Sequence, residues 1–191
     1  GNGEEFSTVG THTAFVVAGS SPAFTGVKSY GVTTATIDNI SVREINPLSV
    51  SIHMSGRMTY ADTGASSVLT FLNWEYNASN KVFLDLDTDG ASTGEANFNQ
   101  VALGVTDRAV SLETIYAPGI AVPFNIASRH GSTFINGAVD GTALTANLTP
   151  TALPDLSATD MALGSTFNGY IDQFAVWSDD IGDTGIAEVS T

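Results

Sequence analysis

The sequence contains no cysteine, and only six basic side chains (Lys28, Arg43, Arg57, Lys81, Arg108 and Arg129) stand against twenty acidic ones. The first absence excludes disulfides, thiolate nucleophiles and cysteine-ligated metals. The second gives a formal charge of −14. The basic residues are scattered singly, so nothing offsets the repulsion of a phosphate backbone, and no nucleic-acid partner is expected. No apolar run reaches the length of a membrane-spanning helix, so no membrane insertion is expected. Only three histidines are present (His12, His53 and His130), and no two have the close spacing of a zinc motif. A three-histidine site from distant positions stays open, but the plainer reading is two loop histidines and one on a strand. The chain starts at Gly1 without a basic-then-apolar leader, so a processed form, or part of a longer product, is expected.

What is present is mostly strand. Hydrophobic residues make up 42% of 191 positions, enough for a sizeable core and too many for a disordered acidic chain. Ser49 to Met54, Val68 to Tyr76 and Val82 to Leu86 alternate apolar and polar residues, which turns one face inward and one toward water. Turn signals recur at Asn80, Asp89-Gly90, Arg129-His130-Gly131, Asn136-Gly137, Asp140-Gly141 and Asn168-Gly169. The pattern predicts an all-β protein, a two-sheet antiparallel jelly-roll sandwich. One helix is expected, from Asp179 to Val189, with Asp179, Asp180 and Asp183 as water-facing acids at its N-terminal end. Residues 1–46 read as a strand-rich arm, too short to hold a core of its own, or the remnant of a preceding β-domain. Asn46-Pro47 marks the junction with a body at 47–191.

Two stretches resemble known families. Thr36-Ile37-Asp38-Asn39-Ile40-Ser41-Val42-Arg43-Glu44-Ile45 is similar to the closing strand of jelly-roll carbohydrate-binding modules. The body resembles the laminin-G-like, concanavalin A-like jelly rolls. Its carriers are Phe124 to Ser128, then Thr133 to Gly141 with its Asn136-Gly137 hairpin, and Phe167-Asn168-Gly169-Tyr170-Ile171-Asp172-Gln173-Phe174-Ala175-Val176-Trp177-Ser178. The hairpin has a physical basis, because Asn-Gly accepts the positive φ of a tight turn. A short final helical turn with an acidic residue closes such folds, a place for Glu188. The two segments in series resemble proteins of bacteriophage particles, such as tail fibres, spikes and head decorations. That resemblance implies a virion-surface location, other virion proteins as partners, a homo-oligomer and a cell-surface glycan as a further partner. An extracellular location, as a secreted glycan-binding or adhesion module, is the alternative.

Enzymes of this fold that cleave β-glucans carry Glu-x-Asp-x-x-Glu on one strand. Here the nearest text is Tyr170-Ile171-Asp172-Gln173-Phe174, without a glutamate on either side, and Glu75, Glu95 and Glu113 are isolated. No serine lies in a Gly-x-Ser-x-Gly elbow. A non-catalytic role is therefore expected, with a glycoside hydrolase as the weakest alternative.

Asp85, Asp87 and Asp89, ahead of Gly90, begin like a calcium loop, although position twelve is Ala96 and Glu95 falls one residue early. A low-affinity calcium site competes with a plain solvated acidic hairpin, and no other cofactor is expected. Trp74, Tyr76 and Trp177 alternate with aliphatic neighbours and read as packing residues. Tyr116, close to Pro118-Gly119, reads as an exposed loop ring and the better platform for a sugar.

Overall fold

The computed structural model describes residues 49–64 and 67–191. The readings made for residues 1–46, with the segment at 36–45 and the Asn46-Pro47 junction, lie outside the described residues. Ten strands follow in order: β1 (Val50–Tyr60), β2 (Val68–Asn77), β3 (Asn80–Asp87), β4 (Ala96–Ala102), β5 (Val105–Val110), β6 (Gly119–His130), β7 (Ile135–Val139), β8 (Thr142–Ala143), β9 (Met161–Leu163) and β10 (Gly169–Trp177). A single helix, α1 (Gly182–Val189), closes the described chain. The strands form two antiparallel five-stranded sheets, in the orders β10-β1-β6-β7-β8 and β5-β4-β3-β2-β9. This is the expected all-β jelly-roll sandwich.

Alternation explains the core. Val50, Ile52, Met54 and Met58 of β1 point toward the second sheet, which answers with Leu69 and Leu72 of β2, Leu84 and Leu86 of β3, and Phe98 of β4. Phe71 of β2 meets Phe124 of β6 with ring centroids 4.9 Å apart, and Phe167 tilts against both at 5.9 and 5.7 Å. Three rings from both sheets and the loop before β10 thus lock the layers together, each burying large apolar area in the favoured tilted geometry.

Two local readings are corrected, the Asn136-Gly137 turn and the loop placement of His130. Asn136-Gly137 is not the turn but lies inside β7; the turn falls at Asp140-Gly141, both with positive φ (45° and 81°). Gly137 is required for a different reason, since a Cβ there would stand 2.2 Å from Phe98 Cδ2. In β10 a bulge shifts the register so that Ser55 pairs with Gln173 but Gly56 with Ile171. The extra residue, Asp172, turns Ile171 toward the core and leaves Trp177 paired with Ser51 on the outer face. His53 and His130 both sit on strands and are buried.

The helix starts later than expected, at Gly182, and its acids do not simply face water. Arg129 Nη1 meets Asp180 at 2.7 Å and its Nε meets Asp183 at 2.8 Å, while Asn136 Nδ2 donates to Asp183. These contacts pin α1 onto the first sheet, where Ile186 packs on the small side chains Ala127 and Ala138.

Candidate functional site

The three acids read as a calcium loop are placed differently from one another. Period two sets Asp85 and Asp87 on the outer face of β3, and Asp89 follows the strand's end. Asp85 is only 6% exposed, beside Asn97 of β4. Burial pushes its carboxyl up to about 7, against the opposing hydrogen bond from Asn97. Asp87 Oδ1 accepts the Asp89 backbone N–H at 2.9 Å, so that carboxylate is engaged in shaping the turn. Among the described residues, no three His, Cys, Asp or Glu side chains are arranged to hold a metal ion.

Tyr116 is not an exposed ring. It is 4% exposed, its hydroxyl donates to Asp140 Oδ1 at 3.1 Å and accepts the Asn125 N–H at 3.2 Å, and Tyr60 donates to its backbone carbonyl. The Pro118-Gly119 signal marks the loop's exit correctly. The preceding residues fold inward because the hydroxyl finds partners on β6 and at the β7–β8 turn, and burial raises its pKa.

The most exposed aromatic among the described residues is Tyr76, taken from the sequence as a packing residue. It follows Trp74 with the right spacing for the core, but a register shift between Glu75 and Asn77 leaves Tyr76 out of the alternation, and the ring is 62% exposed. Trp74, one step inward, is half-buried and donates its Nε1 hydrogen to the Thr159 carbonyl at 3.1 Å. Tyr76 lines a cleft of about 360 Å³ with Asn80, Asp155 and Ala158. A smaller hollow of about 170 Å³, lined by Trp74, Val82 and residues 153–157, shares Asp155 with it. The cleft thus lies where the β2–β3 hairpin meets the loop after Pro150.

Each polar group of the cleft is held in place. The Asn80 amide donates to Asn77 Oδ1 at 3.2 Å and its oxygen accepts the Leu103 N–H at 3.3 Å, which leaves one amide hydrogen for a ligand. Asp155 Oδ1 accepts the Ser157 hydroxyl at 2.7 Å and the Ser157 N–H at 3.1 Å. Those bonds favour the ionised form and hold the Asp155 carboxyl below the usual carboxylate range. Its Oδ2 remains available as an acceptor. An exposed ring, an oriented amide donor and a fixed carboxylate acceptor are the elements that recognise a polyhydroxylated ring: apolar C–H groups against the aromatic face, hydroxyls against the polar groups. Sequence reasoning missed Asp155 because an acid after a proline in a loop carries no distinguishing signal. Asn80 was noted only as a turn residue.

No protein-family model matches the chain, and no curated relative does. Solved structures do match over most of it. The carbohydrate-binding module of the Ruminococcus gnavus IT-sialidase, bound to α2,3-sialyllactose, superimposes with a TM-score of 0.55 at 16% identity, covering 75% of this chain and 83% of that one. A leech intramolecular trans-sialidase gives a TM-score of 0.56 at 16% identity over 74% of this chain. This chain spans only 23% of that enzyme. A botulinum neurotoxin type C structure gives 0.51 at 12% identity, covering 73% of this chain and 34% of that one. At such identities the likeness establishes the fold, a jelly-roll sandwich of the kind seen in carbohydrate-binding modules.

Proposed function

We propose that the sandwich is a non-catalytic glycan-binding module that holds a sugar in the Tyr76–Asn80–Asp155 cleft. The observation that carries this reading is the solvent-exposed Tyr76 ring on a concave surface flanked by an anchored amide and a fixed carboxylate. It is supported by the structural neighbours, which include a sialidase module bound to sialyllactose and a neurotoxin whose cell entry depends on two ganglioside molecules. Immobilised glycans probed with the whole chain test it: retention by the native chain and loss on Tyr76→Ala are expected. Equal retention by the variant would remove the cleft from the function.

The finer placement, on the surface of a bacteriophage-like particle as a fibre, spike or head decoration, rests on the resemblance of residues 36–45 and of the body. On that reading residues 1–46 supply attachment, since strands without their own core seek a partner's sheet edge. Counting copies of this chain per purified particle against the major capsid protein checks it. Absence from particles, with the chain free in the medium, would leave a secreted glycan-binding module.

A further inference from the structure

We infer that the cleft selects neutral hexopyranosides and discriminates against sialic acids and other acidic sugars. This rests on the reading of the cleft as a glycan site and adds the class of ligand it takes. The structural neighbours solved with sialyllactose make acidic glycans the obvious expectation. The charges in this chain point the other way.

A sugar carboxylate needs a cation or a concentrated set of N–H donors to replace its water. None of the described residues lining the cleft is cationic. Asp155, the one charged group among the described lining residues, has its carboxylate stabilised as the anion by both hydrogen bonds from Ser157, so it presents negative charge throughout the neutral range. None of the four basic side chains of the described residues lines the cleft. Lys81 is next to Asn80 in sequence, but strand alternation carries it to the outer face beside Glu75, where its Nζ lies 4.6 Å from the Phe83 ring centroid. Arg129 is bound to Asp180 and Asp183, Arg57 donates to the Ala121 carbonyl, and Arg108 stands across from Asn99 on β5. The net charge of −14 adds a long-range repulsion to the local one.

A neutral pyranose meets none of these penalties. Its hydroxyl hydrogens point to Asp155 Oδ2, a ring or hydroxyl oxygen accepts the free Asn80 amide hydrogen, and its C–H face covers Tyr76. A charge-assisted hydrogen bond from a neutral hydroxyl to a carboxylate is about twice as strong as a neutral one. The same carboxylate that attracts the hydroxyls therefore excludes the acid.

Calorimetric titration of the whole chain with matched pairs tests this: lactose against 3′-sialyllactose, and neutral gluco- and galacto-oligosaccharides against the corresponding uronates. The neutral member should bind about fourfold or more tightly, the order expected for two like charges roughly 5 Å apart in a largely hydrated site. Asp155→Asn should narrow that ratio several-fold while the chain stays folded by circular dichroism, and added salt should narrow it in the native chain. Equal or tighter binding of the acidic members would overturn the inference and leave the glycan reading standing. A ratio that Asp155→Asn does not change would overturn the role given to that carboxylate. No binding by any member of either series would overturn the glycan reading itself.

Discussion

The outer faces of the two sheets are built on opposite principles. On the first sheet the outward positions nearest α1 are small, Ala127 and Ala138, and the fully buried Ile186 fills the space above them. The charge there is neutralised in place, with the Arg129 guanidinium 4.2 Å from the Phe134 ring and bound to two carboxylates. On the second sheet the outward positions of β3 and β4 include Asp85, Asn97 and Asn99, all buried and polar, beside the apolar Phe83 and Val101. One face gains from burial and the other loses by it. Asn97 Oδ1 has no hydrogen-bond partner, and the Asp85 carboxyl is driven toward its protonated form. Buried polar groups that are incompletely paired lower stability rather than raise it, so these positions weaken the second sheet where Ile186 strengthens the first.

The sharpest way to break this comparison is to remove the apolar anchor. Ile186→Ala should lower unfolding free energy by about 3 kcal/mol, because the lost side chain is wholly enclosed between the helix and two alanines that cannot fill the gap. Chemical denaturation at neutral pH measures it. A loss below about 0.5 kcal/mol, in the range of an ordinary surface substitution, would mean that α1 is not anchored through this contact.

The second sheet should respond in the opposite direction. Asp85→Asn keeps the shape of the side chain and removes the charge, so at pH 8 it should raise stability, by on the order of 2 kcal/mol. The dependence on pH follows from the direction of the shift. With a folded pKa of about 7 against an ordinary value of 3.8, Asp85 stabilises the fold fully below pH 4, and that contribution is lost as pH rises through 7. The advantage of the variant should therefore vanish by pH 4. His130 acts with the other sign over an overlapping range: burial lowers its pKa to about 3, so its contribution is intact above pH 6.5 and is lost as pH falls toward 3. Between pH 4 and 6.5 the two oppose each other in the native chain. Asp85→Asn should thus unmask a decline in stability on acidification. A variant less stable than the native chain at pH 8, or one with an unchanged pH profile, would show that Asp85 is not held against its charge.

The contrast between the sheets also marks what could be read from the sequence. Period two located β1, β2 and β3 and the inward sets Ile52–Met54 and Leu84–Leu86, because residues that alternate toward a core leave their pattern wherever one face is buried. The same rule placed Asp85 outward but gave no sign that it would be buried, since burial on an outer face depends on what lies over it. Small residues carried the other surprises. Gly137 was read as a turn because Asn-Gly favours one locally, whereas its position is set by the Phe98 ring from the opposite sheet. The bulge at Asp172 inverted Ile171 because a one-residue slip reverses the face of every position beyond it. The candidate site was the least legible part. Tyr116 and Tyr76 were exchanged, one buried by hydroxyl partners on β6 and at the β7–β8 turn, the other exposed where a register shift breaks the alternation of β2.

The smallest expected effect on stability is the most informative about function. Tyr76→Ala removes a ring that is mostly in water and is not part of the buried core, so denaturation midpoints should move by no more than about 0.5 kcal/mol equivalent. Its neighbour Trp74 provides the control on the same strand. That ring packs against the core and its N–H is bonded to Thr159, so Trp74→Ala should cost several times as much, about 2 kcal/mol or more. If Tyr76 contributes to a surface rather than to the fold, the two variants should separate cleanly, with Tyr76→Ala losing glycan retention at native stability. A Tyr76→Ala loss approaching that of Trp74→Ala would mean that the ring supports the loop at 153–158. In that case diminished retention would report a collapsed cleft and not a missing sugar contact. Tyr76→Phe resolves that outcome, since it preserves the stacking face and the packing and removes only the hydroxyl: retention by Tyr76→Phe with loss in Tyr76→Ala assigns the effect to the ring itself.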